Sequence, residues 1–285
     1  MGSSVRLSVI IPLYNKEDSI VRTIKTVLSQ SFTNFELIVI DDGSIDRGRE
    51  VIQMQISDCR LRIVGQSNKG VSAARNAGVR LANAEHILFL DADDQLEENA
   101  LCIFDRLITS YPDASVYTTN FHVSYDGLSA RKPYCRGKIE NVVNNSFKDY
   151  WFQRIHVRTG NSIFKKGALL EAGLFDERMS YYEDQDLALR LLERGKVVYS
   201  PEITFVYIKK SSDLSCGPKR IVGSFAYWMV LKGKGFWHKL ILAMTLHTTI
   251  RKVNSEMENF SELRRKYIRL FFYVGLSRII IRLIK

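Results

Sequence analysis

Two hydrophobic patterns alternate along the first 125 residues. "RLSVIIPLYN", residues 6–15, is a nearly unbroken apolar and β-branched run, which predicts a strand buried on both faces. In "EDSIVRTIKTVLSQ" the residues Ile20, Ile24, Val27 and Leu28 fall at i, i+4, i+7 and i+8, the stripe of an amphipathic helix. The alternation continues with "FELIVIDDGS" and "RLRIVG" as strands around a helix in "IDRGREVIQMQIS". A small-residue helix in "GVSAARNAGVRLANA", a strand in "HILFLDADD", a helix in "ENALCIFDRLITSY" and a strand in "ASVYTTNFHV" complete it. Strands alternating with helices predict βαβ units and an α/β fold with a mostly parallel central sheet flanked by helices.

Beyond residue 125 the pattern is less regular. "SYDGLSARKPY" carries a D-G turn and reads as a hairpin. "NSFKDYWFQRI" reads as a short helix, and "NSIFKKGALLEAGLFDE" as a strand, a short helix and a stop at Gly173. "YYEDQDLALRLLERGKVVYSP" predicts a helix ending near Gly195 and a strand from Val197. Asp184 lies one turn before Leu187 and Ala188, on the same inward face of that helix.

The strands end in acid. Asp41 and Asp42 close the second strand, and Asp91, Asp93 and Asp94 close the fourth. Open α/β sheets bind ligands at the carboxyl ends of their strands. Clustered like charges repel, so a cation is expected among them. The first strand-to-helix turn, "PLYNKEDS", has no glycine, which disfavours a dinucleotide site, and no G-x-x-x-x-G-K-[ST] occurs. Oxygen ligands at a D-x-D suit Mn2+ or Mg2+, ions that keep waters and bind substrate phosphates. Blander readings exist for each acid. Asp41 and Asp42 suit a turn with Gly43, Asp94 suits a helix cap, and Glu183 suits the positive end of a helix dipole.

Five ordered blocks, "LSVIIPLYN", "IVIDDGSIDRG", "NKGVSAARNAGV", "FLDADD" and "YYEDQDLALRL", together resemble the inverting family 2 glycosyltransferases of GT-A fold, of the bacterial surface-polysaccharide type, over roughly residues 5–200. The resemblance implies that Pro12, Tyr14 and Asn15 line a nucleotide-base pocket and that Asp42 accepts a hydrogen bond from the base, with uracil favoured. It implies that Arg75 approaches base or phosphate and that Asp91 contacts the ribose or a metal-bound water. Asp93 would ligate the metal, and Asp184 would be the catalytic base, with Asp186 as the next choice. The bland reading of Arg75 is a surface salt bridge. The family commonly has Arg and His in the loop after the last core strand. Here that loop, "FVYIKKSSDLS" at residues 205–215, offers Lys209 and Lys210 instead; a lysine contacts a diphosphate as a point charge, and the loop is expected to close on the donor.

Charge adds a second region. Residues 1–202 carry a net −2 and residues 203–285 a net +12. The boundaries expected are a catalytic domain over 1–215, with a nucleotide-sugar half to about 125 and an acceptor half after it, and a basic amphipathic helical tail over 216–285. In the tail Leu270, Tyr273, Val274, Ser277, Ile280 and Ile281 make one mostly apolar face, which suits an anionic membrane surface. The alternative is a helical element packed on the core or on a second subunit. No nucleic-acid-binding fold is recognised. The chain opens with no charged-then-apolar leader, and no uncharged apolar run reaches the length of a bilayer span. Cys59, Cys102, Cys135 and Cys216 are scattered and suit reduced thiols, the first two buried. The expected location is cytoplasmic, peripheral on the inner face of the membrane.

The function these features predict is transfer of a sugar from a nucleotide sugar, UDP-linked by preference, to a glycan or lipid-linked glycan acceptor. The alternatives are a catalytically silent membrane-associated scaffold of the same fold and a sugar nucleotidyltransferase. The latter needs a Gly-rich loop that "PLYNKEDS" lacks.

Overall fold

The computed structural model describes residues 5–125, 128–130, 133–179, 182–209, 235–241 and 275–276. Four apolar runs form the parallel half of one sheet: β1 (Leu7–Leu13), β2 (Phe35–Asp41), β3 (Leu61–Gly65) and β4 (His86–Phe89), in the spatial order β3-β2-β1-β4. β1, β2 and β4 are buried along nearly their whole length, as unbroken apolar runs require. Helices α1 (Ile20–Leu28), α2 (Gly48–Gln55) and α3 (Val71–Leu81) make the crossovers. The stripe predicted for α1 is buried through Ile20, Ile24 and Val27, with Leu28 at its margin. α3 lies tight on β1 because Gly78 faces Ile10, where a Cβ would come within 2.3 Å of the isoleucine methyl.

The second half is mixed. A short β5 (Gln95–Leu96) and helix α4 (Ala100–Ser110) lead to the long β6 (Val116–Tyr125), which turns back into β7 (Leu128–Ala130). This is the predicted D-G hairpin, whose two turn residues lie outside the described residues. β8 (Asn141–Val142), α5 (Ser146–Trp151), β9 (Ser162–Lys165), α6 (Lys166–Glu171), α7 (Glu183–Arg194) and β10 (Val197–Lys209) follow. β9 enters antiparallel between β4 and β6, and β10 runs parallel to β6. The sheet is therefore parallel over β1–β4 and mixed beyond them. β10 also extends through residues 205–209, which the sequence reads as a loop. After irregularities between Ser200 and Phe205 it re-pairs with β6, from Phe205↔Phe121 to Lys209↔Tyr125.

Cys59 and Cys102 are exposed, contrary to expectation: Cys59 lies in the turn between α2 and β3, and Cys102 on the solvent side of α4. In the tail, residues 236–241 are helical and pack on α5. His238 stacks on Phe147 at 4.2 Å, Trp237 meets Phe152 at 5.3 Å, and Leu240 and Ile241 are fully buried. Among the described residues no helix is long and apolar enough to cross a membrane. The apolar face expected at residues 270–281 lies outside the described residues, apart from 275–276.

Candidate active site

The register Leu13↔Asp41 sets the β1–α1 turn beside the β2–α2 turn, and the D-x-D loop follows β4 next to them. These carboxyl ends border a cavity of about 700 Å³, lined by Pro12, Tyr14, Lys16, Asp42, Arg75, Asp91 and Asp93 among others. The Tyr14 ring is 46% exposed at its rim. Asn15 does not line the cavity. It adopts a left-handed φ of 49°, and its side-chain oxygen accepts from the Ile45 N–H at 2.9 Å, tying the two turns together. Asp42 is buried and accepts from Gln66 Nε2 (2.7 Å) and from the N–H groups of Lys69 (2.9 Å) and Gly70 (2.8 Å). Its carboxylate thus holds the loop leading into α3. With about four lone-pair positions, it keeps capacity for one further donor. Asp41 makes the turn expected of it, accepting from Ser44 N–H at 3.0 Å.

Arg75 is not at the surface. Only 3% exposed, it donates through Nη2 to Asp91 at 2.7 Å and through Nη1 to Glu183 at 2.9 Å, with its guanidinium over the Phe175 ring. Burial works against its charge, and the two carboxylates outweigh burial. Burial likewise opposes ionisation of Asp91, but Arg75 holds that carboxyl below its ordinary range. Glu183 is pushed up by burial in spite of the same partner. This one side chain pins the start of α7 to the end of β4, so Asp184 stands beside the D-x-D loop. Asp184 is half-buried and accepts from Gln185 N–H at 2.7 Å. Asp186 is the poorer candidate base, since Arg190 one turn on binds its Oδ2.

Asp93 receives the Lys16 ammonium at 2.5 Å, an interaction with no sequence signal beyond a lysine next to "YN". Asp94 does not cap α4. It is buried, and its Oδ1 accepts from the Ile208 N–H of β10 at 2.8 Å, latching the D-x-D loop to the second half of the sheet. Burial, and then Asp91, push its carboxyl well above the ordinary range. Among the described residues no group of three or more His, Cys, Asp or Glu is placed to hold a metal. A cation here would rest on one or two carboxylates and on the substrate. Asp93 fits that use: it is partly solvent-accessible, it offers only oxygen, and it already draws a cationic group.

Sequence reasoning also missed Thr159 and Arg158. The Thr159 hydroxyl donates to Asp91 Oδ2 at 3.4 Å. Arg158 lies over the Tyr207 ring at 4.0 Å, in an aromatic wall with Phe121 and Phe205. Lys209 ends β10 over Tyr125, and Lys210 to Ser215 lie outside the described residues.

A carboxylate-lined cleft at the strand ends of a mixed sheet is the arrangement expected of the GT-A fold. A family model, Glycosyl transferase family 2, matches residues 8–170, and the chain belongs to that family. It is 34% identical to the glycosyltransferase GlyG of Streptococcus pneumoniae over 224 residues, covering 73% of this chain and 72% of that one. It is 32% identical over 199 residues to the minor teichoic acid biosynthesis protein GgaA of Bacillus subtilis, covering 66% of this chain and 44% of GgaA. The chain spans less than a third of several other curated relatives it matches. The crystal structure of S. aureus TarS 1–349 in complex with UDP-GlcNAc aligns with a TM-score of 0.70 at 18% identity, over 93% of this chain and 79% of that one.

Proposed function

We propose that this chain is a metal-dependent inverting glycosyltransferase that moves one sugar from a UDP-sugar to a hydroxyl of a glycan or lipid-linked glycan in surface polysaccharide synthesis. The observation that carries this is the Asp91–Arg75–Glu183 bridge, which sets a nucleotide-sized cavity and a free-standing acid, Asp184, side by side. The Tyr14 ring offers a face for a planar base, and Asp42 an acceptor for its N–H. TarS, a structural neighbour, was crystallised with UDP-GlcNAc, which supports a UDP-linked donor.

Each residue then has a task. The acceptor oxygen attacks the anomeric carbon as the bond to the diphosphate breaks, and the bonding pair leaves on the phosphate oxygen. Asp184 takes the hydroxyl proton, the work of a general base. Asp93, with Asp91 beside it, would hold Mn2+ or Mg2+. Such an ion supplies positive charge against the charge gathering on the leaving diphosphate. Lys16 pairs with Asp93 and adds positive charge on the same side of the cavity. Release of UDP from UDP-sugars by the full chain, with and without Mn2+, tests the proposal. Metal-dependent turnover supports it, and no turnover of any UDP-sugar opposes it.

The tail would keep the enzyme on the inner face of the membrane, with the catalytic unit over residues 1–215. Residues 236–241 serve as the foot that seats the tail on α5, and the net +12 after residue 202 supplies attraction to anionic lipid. We expect the full chain to co-sediment with anionic vesicles at low salt and to be released at high salt. Equal behaviour with neutral vesicles would make the tail a packing element alone.

A further inference from the structure

Buried arginines in this protein come with carboxylates. Arg75 has two within 3 Å, and the part-buried Arg60 and Arg190 have Asp58 and Asp186. Arg158 breaks the rule. Among the described residues no carboxylate lies within ion-pair distance of it, and no side chain accepts a hydrogen bond from its guanidinium. Its Nε is sealed from solvent without a partner, as that of Arg75 is, so the donors it can offer are its terminal nitrogens. The residue as a whole keeps part of its exposure.

Its position is built. Gly160, at a φ of +91°, turns the chain directly after Arg158 and Thr159, and a Cβ there would strike the Phe205 ring at 2.3 Å. That turn sets the guanidinium over Tyr207 at 4.0 Å, with the Phe121 and Phe205 rings each at 5.6 Å. Burial works against its charge, and the fields of Asp94, Asp184 and Asp91 keep it charged without contact. Tyr150, His156 and Tyr134 continue the aromatic floor, with ring centroids 5.0 and 5.1 Å apart in sequence. Burial among them pushes the His156 imidazole down to about 3, so it stays neutral and adds no charge. Arg158 does not line the donor cavity.

A charged fork on aromatic rings, its terminal nitrogens without a side-chain acceptor among the described residues, near the acid proposed to deprotonate the acceptor, is a site for an anion. We infer that Arg158 on Tyr207 binds an oxyanion of the acceptor, a phosphodiester or a uronate carboxylate, so that the enzyme extends an anionic glycan. This rests on the reading of Asp184 as the acceptor-side base. The rings beside Arg158 would carry the sugar's apolar face while the guanidinium takes its charge.

The test is calorimetry on the full chain with UDP and Mn2+ present, titrating sn-glycerol 3-phosphate, methyl glucuronide or neutral methyl glucoside. The wild type should bind one or both anions and not the glucoside. Arg158→Gln should lose about tenfold or more of that affinity, the scale of a charge-assisted hydrogen bond, with UDP affinity held within about twofold. Arg158→Lys, which keeps the charge and the fold, should fall between. Anions binding equally to wild type and Arg158→Gln, or to neither, overturn the inference. Loss of UDP affinity in Arg158→Gln would assign the residue to the leaving diphosphate and also overturn it. If the wild type fails to bind UDP at all, the proposed function fails first, and the two failures are told apart.

Discussion

The two halves of the sheet handle arginine in opposite ways. In the parallel half Arg75 is paired with Asp91 and Glu183 through its two terminal nitrogens, which hold β4 to α7. In the mixed half Arg158 is held by ring faces and leaves its hydrogen-bonding capacity open. The first arrangement is scaffolding that aligns a site, and the second suits a site that waits for its ligand. In the function proposed, donor recognition rests on strand-end loops that clamp one another, and acceptor recognition on a floor of aromatic side chains.

Perturbing each half should separate those roles. The largest effect is expected at Asp184→Asn, which keeps shape and cannot take a proton. Transfer should fall by ~10²–10⁴ with UDP affinity intact. Near-normal transfer would move the base elsewhere.

Arg75→Met comes next. It leaves the partly buried Asp91 and Glu183 without their cation, and the cost of breaking a fully buried pair, about 3–5 kcal/mol, is the upper bound of the loss. Chemical denaturation should record that loss at neutral pH. It should shrink in acid, because Asp91 has a depressed carboxyl whose stabilising contribution is present above its ordinary range and is lost as pH falls through the folded value. A variant as stable as wild type would mean that the clamp is ornamental.

The smallest effect is at Asp94→Asn, which keeps an acceptor for the Ile208 N–H and removes a buried carboxyl. That carboxyl is raised in the folded state, so the wild type loses stability as pH rises through the raised value and the asparagine variant does not. Melting curves between about pH 4 and pH 8 should show the variant gaining on wild type with rising pH. A constant difference would contradict the assigned shift.

The parallel half was plain in the sequence because its signals are local. Unbroken apolar runs mark β1, β2 and β4, and the acids that end them mark the ligand edge. The insertion of β9 between β4 and β6 was not, since strand order depends on partners distant in the chain. The same distance misled the reading of Asp94, whose partner is a backbone N–H 114 residues away. Asn15 was expected in the pocket and stands behind it, because its left-handed backbone turns the amide toward Ile45. Arg158 gave no signal at all, for its role comes from rings on β6 and β10 that no spacing in "HVRTGN" announces.

The central claim is that the cavity at the strand ends binds a uridine diphosphate through Asp93 and a divalent ion. Calorimetry of the full chain and of Asp93→Ala with UDP, in Mn2+ and in excess chelator, tests it most directly. The account predicts one saturable site in the wild type with Mn2+, weakened by about 10–100-fold or more both by chelation and by the substitution. Equal affinity in all four titrations would contradict it.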